Sequence, residues 1–150
     1  MMVSQRVVLV AEDEENDFFL LKWAFAKCGE NVLLIRVTDG VEAINYFEGR
    51  NEFADRRRFP LPELFLLDLK MPRKDGFDVL DWLSRNPSFR SIVVIVLSSS
   101  KQDQDVSRAY ELGANSYLAK PNDSVGLASM TQSIVDFWFR WSQCPRSNGG

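Results

Sequence analysis

The chain has 150 residues, 45% of them apolar and 26% charged, the size and balance of one soluble globular domain rather than a disordered or fibrous chain. It contains no histidine, which excludes imidazole metal sites, Ser-His and Cys-His nucleophile pairs, and a phosphohistidine of its own. Its 18 basic and 21 acidic residues leave a net charge of −3, so there is no overall basic field for nucleic acid.

Two cysteines, Cys28 and Cys144, are too few and too far apart for a disulfide framework or a zinc site, which fits a reducing compartment. The opening residues run straight into a short apolar segment that acids then interrupt, and no apolar run approaches the length of a membrane span. A cytoplasmic chain with no membrane partner is expected.

Val7 to Ala11 is a continuous apolar run, the pattern of a strand buried on both faces. Phe18, Leu21, Phe25 and Cys28 then recur at helical spacing, with Asn16 as a candidate cap and Gly29 past the end. Val32 to Val37 reads as a second strand. Asp39 and Glu42 have capping-box spacing ahead of a short helix that Gly49 stops. Arg50 to Pro62 reads as a solvated loop, its three consecutive arginines, Arg56 to Arg58, carrying little specificity. Glu63 to Asp68 is a third strand, Met71 to Gly76 is turn chemistry, and Phe77, Leu80 and Leu83 mark the helix that follows. Ile92 to Leu97 is a fourth strand. The next helix has Val106, Ala109 and Tyr110 facing inward, and Ser116 to Ala119 is a short fifth strand. One long helix from about Asp123 to Trp141 completes the pattern. Such alternation implies a doubly wound parallel α/β sheet with five strands, since parallel strands need crossovers and these are right-handed.

In such a sheet, ligands bind outside the carboxyl ends of the strands. Those ends carry Glu12 and Asp13, Asp68, Ser98, and Lys120-Pro121. Five of the six residues from Glu12 to Asp17 are acidic, and gathering carboxylates near Asp68 is costly unless a cation sits among them. Hard oxygen donors at a mouth open to water suit Mg²⁺. A lysine and a hydroxyl on the far side suit an incoming anion, so the set describes a phosphoryl group held between a metal, an ammonium and a hydroxyl.

Val10-Ala11-Glu12-Asp13, Leu67 to Pro72 with Asp75-Gly76, Val96 to Ser100, and Leu112-Gly113-Ala114 through Tyr117 to Lys120-Pro121 resemble the signature of response regulator receiver domains of two-component signalling. The separations, 30 residues from Asp68 to Ser98 and 22 from Ser98 to Lys120, are those of that family. The resemblance implies a flavodoxin-like strand order 2-1-3-4-5 with five helices, a receiver over residues 1–142, and a disordered tail over 143–150 with no output domain. It further implies that Asp68 accepts a phosphoryl group from a sensor histidine kinase. Glu12, Asp13, Asp68 and the main-chain carbonyl of Lys70 would then hold Mg²⁺, Lys120 would pair with the phosphoryl oxygens, and Ser98 and Tyr117 would form the switch. A cis Lys120–Pro121 bond belongs to the same pattern. The signal would leave through contacts with a downstream protein target. The long loop before Pro62 and the aromatic last helix resemble stand-alone receivers paired with phytochrome-type kinases.

Three rival readings fail on particular residues. A haloacid dehalogenase-type phosphatase needs a second aspartate two residues after its nucleophile, where this chain has Lys70. A nucleotide- or flavin-binding module needs a first loop that welcomes phosphate, and Ala11 to Glu15 would repel it. Ser98-Ser99-Ser100-Lys101 matches the S-x-x-K of penicillin-binding serine enzymes, without their two further motifs. The chain is therefore expected to be a phosphoacceptor rather than a turnover enzyme.

On the last helix, Leu127, Met130, Ile134, Trp138 and Trp141 form a core-facing stripe, and Val135 and Phe139 fall outside it. These two are expected to be exposed and to support a homodimer through the last helix.

Overall fold

The computed structural model describes residues 5–143. The expected tail, except Gln143, lies outside the described residues, as does Cys144. The elements, in chain order, are β1 (Arg6–Ala11), α1 (Glu15–Ala26), β2 (Val32–Val37), α2 (Gly40–Glu48), β3 (Leu64–Leu67), α3 (Gly76–Ser84), β4 (Val93–Ser98), α4 (Asp103–Glu111), β5 (Ser116–Ala119) and α5 (Ser124–Val135). A π-helical segment, Asp136–Trp141, prolongs α5. The strands form one parallel sheet in the order β2-β1-β3-β4-β5, as expected.

The central strands are apolar throughout because helices cover both of their faces. Side chains alternate across the sheet: Leu9, Phe65, Leu67 and Val96 face a core shared with α2 and α3, and Val8, Leu64, Leu66 and Ile95 face a core shared with α1 and α5. A fully buried side chain of this kind contributes about 1.5–3 kcal/mol through burial. The edge strands β2 and β5 are only half-buried.

Helix entries follow the sequence signals with one exception. The Asp39 carboxylate accepts from Glu42 N at 2.8 Å, and Asp75 and Asp78 cap each other's backbone at the start of α3. Asn16 is no cap, because α1 starts earlier, at Glu15 after Glu14, and no side chain caps it. The arginine run is also not uniformly solvated. The Arg56 guanidinium donates to Tyr46 O, Phe47 O and Phe59 O at 2.8, 2.8 and 3.1 Å, satisfying carbonyls at the end of α2, while Arg57 and Arg58 are exposed.

The far end of the chain corrects the expectation for the last helix. Val135 and Phe139 are buried, and the exposed apolar residues there are Phe137 and Trp141. Two physical causes act. First, α5 packs against α1 as well as the sheet, so Ile134, Val135 and Phe139 share a core with Leu21, Phe25 and Cys28, and the buried arc is wider than one stripe. Second, an i→i+5 turn holds more residues than an α-turn, so the stripe slips out of phase after Val135. Arg6 closes over Phe139, its guanidinium 5.3 Å from the ring centre and 3.1 Å from Phe139 O. The pair Val135 and Phe139 therefore offers no face for a second copy. Tyr110 likewise points outward rather than into the core, its hydroxyl accepting from Tyr117 N at 3.0 Å on the outer edge of β5.

Candidate phosphoryl and cation site

The register levels the strand ends. Ala11 pairs with Leu67, Leu67 with Val96, and Ser98 with Ala119, so the residues that follow, Glu12, Asp68 and Lys120, emerge together at one mouth. Asp68 N still donates to Ala11 O at 3.1 Å and Lys120 N to Ser98 O at 2.8 Å, so ladder-like bonds fix the backbone on which these side chains stand.

Lys120 is the hub. Its ammonium donates to Glu12 Oε2 at 2.8 Å, Asp68 Oδ2 at 3.1 Å and Asp17 Oδ2 at 3.3 Å. Burial disfavours the ammonium, but its bond to Glu12 and the charge of Asp68 outweigh it, and the Lys120 pKa lies above the ordinary lysine value. Burial raises the Glu12 pKa; the Lys120 hydrogen bond opposes this and the charge of Asp68 reinforces it. Glu12 and Asp68 are buried, at 5% and 8% exposure. The second oxygen of each is also occupied: Glu12 Oε1 accepts from Glu14 N at 3.1 Å and Asp68 Oδ1 from Lys70 N at 3.2 Å.

Glu12, Asp13 and Asp68 each offer a carboxylate oxygen within 4.8 Å of the others. Three hard anionic donors this close repel one another, and one ammonium does not neutralise three carboxylates, so the set fits a small divalent cation. A cavity of about 270 Å³ opens beside it, between α1 and the start of α5, with Asp17, Leu20, Pro121 and Leu127 in its wall.

The β3–α3 connection is held against this mouth by close packing. A Cβ at position 76 would stand 2.6 Å from Asp68 O and 2.7 Å from Leu69 Cα, so only glycine fits there. Arg73, at φ 66°, grips the buried Asp39 through Nη2 and Nε at 2.7 and 2.8 Å, and Gly40 N donates to Lys74 O at 3.0 Å. The loop that follows Asp68 is thereby tied to the first turn of α2.

The model of the response regulator receiver domain family matches residues 8–132. The chain belongs to that family. Response regulator Rcp1 of Synechocystis is 34% identical over 140 residues, covering 93% of each chain, and the crystal structure of its Mn²⁺-bound form has a TM-score of 0.84 at 94% coverage of this chain and 99% of that one. The phosphorylated cyanobacterial phytochrome response regulator RcpA is 31% identical with a TM-score of 0.88, covering 95% of this receiver and 100% of that chain. Response regulator RPA3017, from red light signalling in R. palustris, is 38% identical with a TM-score of 0.89, at 95% and 99% coverage.

In this receiver Glu12, Asp13, Asp68 and Lys120 meet, and Lys70 joins them through its backbone N–H. Ser98 lies fully buried at the end of β4, paired with Ala119 and accepting from Lys120 N through its carbonyl, and its Oγ accepts from Ser100 N at 3.2 Å. Tyr117 stands apart from the carboxylates, with its hydroxyl donating to Ser100 O at 2.8 Å. Ser100 is thus the link between the two expected switch residues, and its own hydroxyl donates to Asp105 at 2.6 Å. Sequence reasoning placed Ser100 only within the stretch Val96 to Ser100 and gave it no role of its own. It also missed Asp17 as the third partner of Lys120, although the acidic run contained it. No peptide bond among the described residues is cis, so the Lys120–Pro121 bond is trans, contrary to expectation. With Lys120 N anchored to Ser98 O, the side chain reaches both carboxylates from a trans linkage. Among the described residues no helix is long and apolar enough to cross a membrane.

Proposed function

We propose that this receiver accepts a phosphoryl group on Asp68 from a phosphohistidine of a sensor histidine kinase and signals through protein contacts that depend on that modification. The observation that carries the reading is the setting of Asp68: a buried carboxylate at a strand end, 3.1 Å from an ammonium and within 4.8 Å of two further carboxylate groups. An Asp68 oxygen forms the new P–O bond while the P–N bond to the donor imidazole breaks, and the bonding electrons leave with the imidazole, which takes up a proton from water. Lys120 transfers its contact from the Asp68 carboxylate to a phosphoryl oxygen. Ser98 supplies a hydroxyl to another. Glu12, Asp13, Asp68 and the Lys70 carbonyl would hold Mg²⁺, which when bound neutralises charge on the phosphoryl oxygens. The protein acts as a stoichiometric acceptor in the cytoplasm, where ATP-dependent kinases charge their histidines. Similarity to RcpA, a cyanobacterial phytochrome response regulator, and to RPA3017, of red light signalling, supports a phytochrome-type kinase as the donor.

Incubation with Mg²⁺ and acetyl phosphate should place one phosphoryl group per chain, alkali-labile as an acyl phosphate is, and Asp68→Asn should take up none. Intact-mass spectrometry reads both. Label that persists in Asp68→Asn overturns the assignment.

A further inference from the structure

β1 leaves the sheet at Ala11, and its last pairing is with Val37. Glu12 N still donates to Val37 O at 3.0 Å, but the carbonyls of Glu12 and Asp13 lie beyond the ladder. A single side chain meets both. Arg36, on edge strand β2, donates from Nε to Glu12 O at 2.9 Å and from Nη2 to Asp13 O at 3.0 Å. The Phe18 ring, its centre 5.7 Å from the guanidinium carbon, holds the group from α1. Both hydrogen bonds of this cation therefore go to the backbone of two successive acidic residues whose side chains belong to the cluster.

A planar fork that engages two consecutive carbonyls fixes the peptide between them, and with it the direction in which the Asp13 side chain leaves the chain. That matters because the carboxylates of Glu12, Asp13 and Asp68 repel one another, and Asp13, the exposed member, stands in the turn between β1 and α1. We propose that Arg36 is a positioning residue for the divalent cation: its guanidinium clamps the Glu12–Asp13 backbone and so sets how tightly the carboxylate cluster binds the ion. This rests on the reading of that cluster as a cation site. The charge of Arg36 acts in the opposite direction, since a cation near the cluster weakens binding of another, so the two effects separate on substitution.

Mn²⁺ titration of the full chain, with free Mn²⁺ followed by electron paramagnetic resonance, tests the clamp. Arg36→Met, which loses clamp and charge together, should bind about tenfold more weakly, the lower end of what loss of an orienting partner does to metal affinity. Arg36→Lys keeps the charge and one donor at a time, and should fall between the wild type and Arg36→Met. A purely structural role would lower the melting midpoint in EDTA and the affinity together; the clamp predicts loss of affinity with the midpoint in EDTA little changed. Should Arg36→Met fail to fold, weaker binding by a folded Arg36→Lys carries the same conclusion. Binding in Arg36→Met equal to or tighter than wild type overturns the clamp. Wild-type binding that Asp13→Asn weakens and neither Arg36 variant alters overturns the clamp alone, whereas a wild type that takes up no Mn²⁺ overturns the cation reading and the clamp with it.

Discussion

On the side of the mouth formed by β1 and α1, cations organise the contacts: Lys120 against the carboxylates of Glu12, Asp17 and Asp68, and Arg36 against two main-chain carbonyls. On the side formed by β4, α4 and β5 they meet through Ser100, whose N, O and Oγ engage the Ser98 hydroxyl, the Tyr117 hydroxyl and Asp105. Ionic hydrogen bonds between buried groups are about twice as strong as neutral ones, and removing one partner strands a charge. A neutral hydrogen bond contributes about 0.5–1.5 kcal/mol net and can be exchanged for another at little cost. Under the proposed function this contrast suits a division of labour, in which the ionic side carries the phosphoryl chemistry and the hydroxyl side rearranges to report it.

The largest effect should come from breaking the ionic side at its hub. Lys120→Met leaves Glu12 and Asp68 buried without their counter-ion and should cost about 3 kcal/mol, the low end for a broken buried pair because the lysine side chain is 21% exposed. Denaturant unfolding in EDTA measures it. A loss below about 1 kcal/mol, the range of an exposed pair, would erase the contrast between the two sides.

Next in size is the cation itself. Mg²⁺ at a hundred times its dissociation constant should stabilise the wild type by about 2.7 kcal/mol. Glu12→Gln should lose most of that increment while unfolding at least as late as wild type in EDTA, because burial already disfavours the Glu12 carboxylate. Thermal melts with and without Mg²⁺ give both numbers.

On the hydroxyl side, Tyr117→Phe removes one bond to Ser100 O and should cost about 1 kcal/mol or less while leaving phosphoryl uptake on Asp68 intact. Equal sensitivity of uptake to Tyr117→Phe and Lys120→Met would abolish the distinction. Tyr46 supplies a control remote from the mouth, its buried hydroxyl donating to Pro60 O at 2.7 Å. Burial raises its pKa, with Arg56 opposing, so the folded state keeps this proton longer than the unfolded chain does. Its contribution is complete below the ordinary tyrosine pKa of about 10 and declines as pH rises from there through the raised folded value. Tyr46→Phe should remove that part of the alkaline slope in pH-dependent unfolding.

What the sequence disclosed follows the same physics. Strand positions to within a residue at each end, the sheet and the residues at its carboxyl ends were legible because each depends on residue type at a fixed offset: aliphatic runs, a carboxylate after a strand, a glycine where Asp68 O leaves no room. The clamps by Arg36 and Arg56 were not, because their partners are main-chain carbonyls, which every residue has and no sequence marks. Arg73 and Asp39 are far apart in the chain and meet only through the fold. The last helix misled for another reason. A constant 3.6-residue period was assumed through a segment that changes its turn, and one partner surface was assumed where α1 and the sheet supply two.

The connection from α2 to β3 enters the sheet at the amino end of β3, opposite the mouth. Arg56 pins its first half to the end of α2 and the Tyr46 hydroxyl holds its second half at Pro60, leaving Arg57 and Arg58 exposed at the bend. Lengthening a loop already closed at both ends adds entropy cost only logarithmically, about 0.6 kcal/mol per doubling. Between these two arginines the polypeptide should therefore accept a foreign segment, a fluorescent domain or an affinity epitope, with the grafted mass carried at the end of the sheet furthest from Asp68.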